Sequence, residues 1–174
     1  MENIIIEDDF LKEDDLEILK SIINSKQWTY GHTSSGRELV NTPFWFIDLK
    51  EELFFAEYIK DLIEEKFNKK FKLNRVYANG QTYGQNGSYH VDDTDPNSYT
   101  FCLYLHKLQK NEIETAGGQL NVKIPNEQYS ISIEPILNRG VLFPSNYYHK
   151  GYAFSRYVTD MRICIAWKLK EIII

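Results

Sequence analysis

The sequence predicts a mainly β domain with supporting helices, an antiparallel sandwich or jelly roll whose N-terminal helices pack on one sheet. Three observations carry that expectation. From Leu73 onward, short runs rich in Val, Ile, Tyr and Phe alternate with turn residues, and no helical period separates them. Ahead of them lie two stretches with apolar residues at helical spacing. The length of 174 residues, 43% hydrophobic and 14% aromatic, suits one domain with a substantial core. The expected division is helical support over 1–70 and a jelly-roll core over 71–174.

Ile4-Ile5-Ile6 before Glu7-Asp8-Asp9 reads as a short strand and a turn. Leu16, Leu19, Ile22 and Ile23 then give an amphipathic helix over about 12–25, which Trp28-Thr29-Tyr30-Gly31 ends. Residues 32–42 are polar, contain Gly36, and read as a flexible loop or irregular hairpin able to fold over a pocket. A strand is expected at 44–49, behind Pro43. The strongest helix runs over about 50–68, with Phe55, Ile59, Leu62 and Ile63 on one stripe that braces a sheet. Residues 73–83 form a long strand, expected to break or bulge near Gly80. A turn at 84–87 precedes the strand that carries His90, and 93–98 is a polar loop. Further strands are expected at 99–105, 118–124, 129–134, 139–143, about 150–153 and 161–170, whereas 107–116 is charged and irregular.

Composition excludes several function classes. A formal net charge of −5 argues against a surface built to hold nucleic acid, because phosphate calls for basic residues. No apolar stretch approaches membrane-spanning length and no signal-peptide pattern is visible, so the expected location is cytoplasmic. Cys102 and Cys164 both fall in expected core strands, as reduced thiols rather than a disulfide.

The residues that carry chemistry centre on His90-Val91-Asp92. In an extended chain His90 and Asp92 share one face while Val91 takes the other, so an imidazole and a carboxylate stand side by side. The best third ligand is His149, in Phe143-Pro144-Ser145-Asn146-Tyr147-Tyr148-His149. Two imidazoles and one carboxylate on one face of an octahedron make the facial triad that holds non-haem Fe(II) and leaves three positions open. Arg162 heads the apolar run Ile163-Cys164-Ile165-Ala166-Trp167, where an unpaired charge is costly. Its planar fork suits a carboxylate. A dicarboxylic keto acid can meet the arginine with one end and the metal with the other.

The ordered set His90-Val91-Asp92, Tyr104-Leu105, Gly117-Gly118-Gln119-Leu120, Asn138-Arg139-Gly140-Val141-Leu142-Phe143, His149 and Arg162-Ile163 resembles the Fe(II)/2-oxoglutarate-dependent dioxygenases. The likeness is greatest to their prolyl-hydroxylase-like branch, including its short bacterial and phage forms. The resemblance implies a double-stranded β-helix of the jelly-roll, cupin-like kind. It implies Fe(II) on His90, Asp92 and His149, with 2-oxoglutarate on Arg162, O2 as the second cosubstrate, and an external reductant such as ascorbate. It also implies that the metal performs the chemistry, so no general acid or base is required. Tyr83 precedes His90 as does the tyrosine that, in similar enzymes, bonds the far carboxylate of the keto acid.

Competing residues sort as follows. Asp93 faces away from Asp92 and Asp95 sits in a loop, so both are expected to be solvated; His32 and His106 are not expected to ligate. Arg156 is nearer His149 but precedes a polar turn, whereas Arg162 heads the final strand; the long spacing from His149 to Arg162 implies an enlarged loop. Alternation taken from the resemblance puts Leu103 rather than Tyr104 toward the pocket. Tyr77 and Trp167 are aromatic candidates for a substrate groove, Trp167 being better suited to the core. The expected function is hydroxylation of an unactivated C–H bond, in a prolyl residue of a peptide or protein or in a small molecule. The rival from another class is a non-catalytic jelly-roll binding module. A nucleic-acid demethylating oxygenase is disfavoured, because those enzymes carry a second arginine six positions after the first, where this chain has Lys168.

Overall fold

The computed structural model describes residues 3–33, 42–108 and 110–173. Along them run β1 (Ile5–Glu7), α1 (Glu13–Ser25), β2 (Thr29–His32), β3 (Phe44–Asp48), and a π-helical turn (Phe54–Ile59) that continues into α2 (Lys60–Phe67). Then come β4 (Phe71–Gln81), β5 (Ser98–Leu105), α3 (Lys110–Ala116), β6 (Leu120–Lys123), β7 (Ser130–Ile133), β8 (Gly140–Pro144), β9 (His149–Gly151) and β10 (Arg162–Glu171). A seven-stranded sheet has the order β1-β8-β5-β10-β4-β3-β2, and a three-stranded sheet has the order β7-β6-β9. All pairings are antiparallel. This is the jelly roll that the strand pattern predicts.

Strand β10 lies at the centre of the larger sheet, and its alternation divides the molecule in two. Ile165, Trp167 and Leu169 join α1 and α2 in one core, with Leu16, Leu19, Ile23, Phe55, Ile59 and Ile63. Cys164 and Ala166 face the other way, into a second cluster with Leu120, Val122 and Ile133 of the smaller sheet. The helices form for local reasons. Glu13, Asp14 and Asp15 sit in the first turn of α1, where carboxylates complement the positive end of the helix dipole. Phe55, Ile59 and Ile63 recur every fourth residue, and each is 0% exposed. Asn68, at φ +50°, ends α2 in the left-handed conformation. Trp167 is fully buried and donates its indole N–H to Phe55 O at 2.8 Å, so it belongs to the core and not to a groove.

Four expectations are corrected. Residues 1–70 are more than helical support, since β1, β2 and β3 all join the larger sheet. Strand β2 was hidden in the segment expected to end the first helix; it is a short edge strand, mostly exposed, with no alternation to betray it. The charged segment 107–116 contains α3, where Ile113 and Ala116 alone pack against Phe154. Gly80 is no bulge: it stays in register with Ile163 and Trp45, and a Cβ there would overlap Met161 Sδ and press on Trp28. The irregularity falls instead where Lys168 pairs with Arg75 and Leu169 with Leu73, leaving Asn74 as the extra residue. Most of the loop expected at 32–42, residues 34–41, lies outside the described residues. Among the described residues, no helix is long and apolar enough to cross a membrane.

One ion cluster ties the helical layer to the sheet. Glu64 is buried with Lys60 and Lys70, each at 2.9 Å, and accepts the Phe71 N–H at 2.7 Å. Burial by itself raises its carboxyl, but the two ammonium groups and the amide outweigh that and bring it from 4.5 to about 2. The folded chain therefore gains from ionising Glu64. That stabilisation is complete above 4.5 and is lost as the pH falls through about 2. Glu64→Gln is expected to cost about 2 kcal/mol near neutrality. Denaturant titrations should show the gap from wild type narrowing in acid; a gap independent of pH would remove the charge from the explanation.

Candidate active site

Three side chains from separate parts of the chain meet at one point. His90 does not lie in a strand of its own, as expected, but forms an isolated antiparallel bridge with His149. Its N–H donates to His149 O at 3.0 Å, and its carbonyl accepts the His149 N–H at 2.9 Å. That exchange sets the two imidazoles side by side, with centroids 4.4 Å apart and ring planes tilted by 49°. Two residues on, the Asp92 N–H donates to Ser145 O at 2.9 Å and keeps the segment extended. Alternation then returns Asp92 to the side of His90. Ligand atoms of His90, Asp92 and His149 all lie within 4.8 Å of one another.

The hydrogen positions are dictated by the neighbours. His90 Nδ1 lies 2.9 Å from Ser88 O, and His149 Nδ1 lies 2.9 Å from Tyr147 O. A carbonyl can only accept, so each Nδ1 carries the proton and donates it. In the neutral ring Nε2 is then a bare lone pair. Burial pushes His149 below the ordinary imidazole value, against the pull of Asp92, which favours that neutral ring. Both Nε2 atoms face carboxylate oxygens, His90 at 3.4 Å from Asp92 Oδ1 and His149 at 3.3 Å from Asp92 Oδ2. Ligand atoms converging in this way could hold a metal ion. Two imidazoles and a carboxylate are the donor set that fits Fe(II).

Asp92 itself is held by neighbours on other strands. Thr100 of β5 donates its hydroxyl to Oδ2 at 2.6 Å and stands 2.9 Å from Ser145 Oγ. Lys168 of β10 places its ammonium against the same Oδ2. Burial would raise this carboxyl, but the Lys168 ammonium holds it well below the usual carboxylate range. The site opens into a cavity of about 590 Å³ between the sheets, whose lining includes Arg162, Cys164, Ala166 and Lys168 along one face of β10.

At the far end lies Arg162, only 3% exposed. Its Nε donates to Gly118 O at 2.6 Å and its Nη1 to Gln81 Oε1 at 2.9 Å. Gly151 makes this possible, since a Cβ there would stand 3.3 Å from both guanidinium nitrogens. Tyr83, the tyrosine expected at this end, is 66% exposed and outside the cavity lining. Strand β4 ends at Gln81, and the chain turns away through Gly84 at φ +83°. Gln81 lines the cavity there instead, and Tyr104 packs beside Arg162. Tyr104 packs with Cys102 and Cys164 on the cavity side, its ring 5.2 Å from the Arg162 guanidinium, and its buried hydroxyl has no partner among the described residues. Leu103, expected toward the pocket, packs in the helix-side core. The β10 register Cys164↔Tyr104 assigns the faces, and that pairing is not written in the local sequence.

The other candidates fall as expected or outside. His106 is tied to Pro135 O at 2.7 Å and to the Leu108 N–H at 3.1 Å. Asp93 accepts from Ser98, Asp95 pairs with Lys170, and Arg156 is exposed against Tyr157. His32 lines the cavity mouth, stacked on Phe46 at 4.5 Å, remote from the triad in its contacts. Tyr77 lines the cavity floor. Cys102 and Cys164 are free thiols.

If Asp92 owes its position to Thr100, Thr100→Val should weaken Mn(II) binding roughly 10- to 100-fold while the thermal melt stays cooperative. Calorimetric titration with Mn(II) gives the answer, and an unchanged affinity would strip Thr100 of that role.

Comparisons with known proteins agree with this geometry. Residues 73–167, more than half of the chain, match the model of the 2OG-Fe(II) oxygenase superfamily. No curated protein matches the chain. Among solved structures, a prolyl hydroxylase from Trichoplax adhaerens, in complex with a hypoxia inducible factor oxygen degradation domain peptide fragment, aligns with a TM-score of 0.70 at 20% identity, over 97% of this chain and 84% of that one. A Pseudomonas putida prolyl-4-hydroxylase aligns with a TM-score of 0.66 at 18% identity, over 97% and 92%. The epimerase SnoN, in complex with Fe3+, alpha ketoglutarate and nogalamycin RO, aligns with a TM-score of 0.66 at 8% identity, over 97% and 78%. These likenesses share the fold, and the triad, its protonation and the family match together place the chain in the 2OG-Fe(II) oxygenase superfamily, whose members use Fe(II) and 2-oxoglutarate.

Proposed function

We propose that this oxygenase hydroxylates a prolyl residue in a peptide or protein, with His90, Asp92 and His149 holding Fe(II) and Arg162 holding the far carboxylate of 2-oxoglutarate. The observation that carries the reading is the row on the cavity face of β10. Arg162 stands at one end and Lys168, against Asp92, at the other. Cys164 and Ala166 lie between them, small enough to leave a slot for a short dicarboxylate. Bound there, Fe(II) with the keto acid and O2 supplies the oxidising chemistry, and the protein supplies position and charge.

Each residue then has a task. Gln81 and Gly118 fix the Arg162 fork, so that it offers a carboxylate a preset pair of donors. The partnerless Tyr104 hydroxyl adds a donor beside it, the part the sequence suggested for Tyr83. A peptide is favoured over a small apolar substrate by Asn79, which lines the same cavity with a buried amide oxygen lacking a partner among the described residues. Keto acid dianions carry only acceptors and cannot satisfy it; a peptide N–H can. The peptide-bound Trichoplax structure and the Pseudomonas prolyl-4-hydroxylase support the same reading.

Purified protein with Fe(II), 2-oxoglutarate, ascorbate and a panel of proline-containing peptides should release succinate and return peptide heavier by one oxygen atom. Arg162→Leu should raise the apparent KM for the keto acid roughly 10- to 100-fold. Succinate released only with small molecules would replace the substrate class. Peptide oxidation without succinate would remove the keto acid from the reaction.

A further inference from the structure

We infer that Lys168 is a resident counter-cation for Asp92, so that the site takes metal and keto acid together and holds the metal alone weakly. The inference rests on the oxygenase reading above and deepens it.

Crowding at one oxygen is the first observation. Asp92 is the only carboxylate paired with Lys168 among the described residues. The same Oδ2 accepts the Thr100 hydroxyl at 2.6 Å and faces His149 Nε2 at 3.3 Å. A metal at Oδ2 would share that oxygen with the ammonium, and one at Oδ1, which His90 Nε2 faces at 3.4 Å, would still share the carboxylate with it. Two cations at such range repel strongly in a site largely closed to water. The placement of Lys168 is also built. The extra residue Asn74 interrupts the β4–β10 register beside Lys168. A bulge at that point re-aims neighbouring side chains, and Lys168 enters the cavity there, its ammonium 5.6 Å from the Tyr77 ring.

Charge balance is the second. Asp92, Lys168 and Arg162 bring one net positive charge to the floor of the cavity. A divalent cation alone raises it to three, and a keto-acid dianion returns it to one. Joint entry leaves the enclosed charge unchanged; entry of the metal alone does not. The chelating carboxylate of the keto acid arrives beside Asp92, and the displaced ammonium can turn to it on a flexible four-carbon stem. Coupling of this kind is reciprocal, so the metal must tighten the keto acid by the same factor.

Mn(II) titrated into the whole chain, with and without 2-oxoglutarate, tests this. Wild type should bind Mn(II) at least about tenfold more tightly when the keto acid is present. Lys168→Met should bind Mn(II) alone at least about tenfold more tightly than wild type and lose much of the coupling. Lys168→Arg, which keeps the charge, should stay weak without the keto acid. Equal Mn(II) affinity in wild type and Lys168→Met without keto acid would overturn the inference, as would a wild-type affinity that the keto acid leaves unchanged. Failure of wild type to bind Mn(II) even with the keto acid would sink the oxygenase reading as well, and is a different result from either. Should Lys168→Met not fold, the wild-type coupling still decides.

Discussion

Burial of the Asp92 carboxylate is the constraint on which the site depends. An ionised carboxylate removed from water is tolerable only when cations and donors surround it. Here the donor and the cation come from different elements, Thr100 from β5 and Lys168 from β10, while His149 of β9 and His90, bridged to it, close the remaining side. Most of these attachments cross a strand boundary. Fixing one carboxylate therefore helps fix how the strands sit against each other, and the metal-binding geometry comes from the same hydrogen bonds that close the fold.

The two imidazoles show the principle at its simplest. Backbone pairing between His90 and His149 sets their separation, and the carbonyls of Ser88 and Tyr147 set their protonation. Neither effect requires the metal. Lone pairs are aimed inward because the opposite nitrogen of each ring is already committed to a carbonyl two residues back in the chain. The site is preorganised by short-range geometry, with its acceptor atoms aimed at one point before any cation arrives.

How much of this was legible in the sequence depends on range. The helical stripe Phe55, Ile59 and Ile63, the alternation that pairs His90 with Asp92, and the arginine opening an apolar strand are local patterns, and they carry most of the fold and the triad. What was missed depends on register. Whether Leu103 or Tyr104 faces the cavity follows from the pairing of Cys164 with Tyr104 across β10, a contact between residues far apart in the chain. Tyr83 was placed in the pocket by extending β4 two residues too far, and Gln81 passed unnoticed because a glutamine in a strand has no signature. Edge strand β2 and helix α3 bury too little for hydrophobic periodicity to report them. Lys168 was read only as a missing arginine, since nothing local says that its ammonium reaches Asp92.

Strand β10 joins these threads. Its odd-numbered residues Ile163, Ile165, Trp167 and Leu169 are held in or against the helix-side core, and its even-numbered residues Arg162, Cys164, Ala166 and Lys168 line the cavity. A slip of one position would exchange the faces, driving two cations into the apolar layer and three aliphatic side chains and an indole toward the cavity. Such a slip would bury Arg162 and Lys168 unpaired and expose the indole that now donates to Phe55 O, so the core excludes it on energetic grounds alone. The chemistry of the site is thus protected by residues that never touch it. This explains how a fold can be shared at 20% identity or less: the alternation of apolar side chains sets the register, and the register in this chain delivers its few polar groups to the cavity.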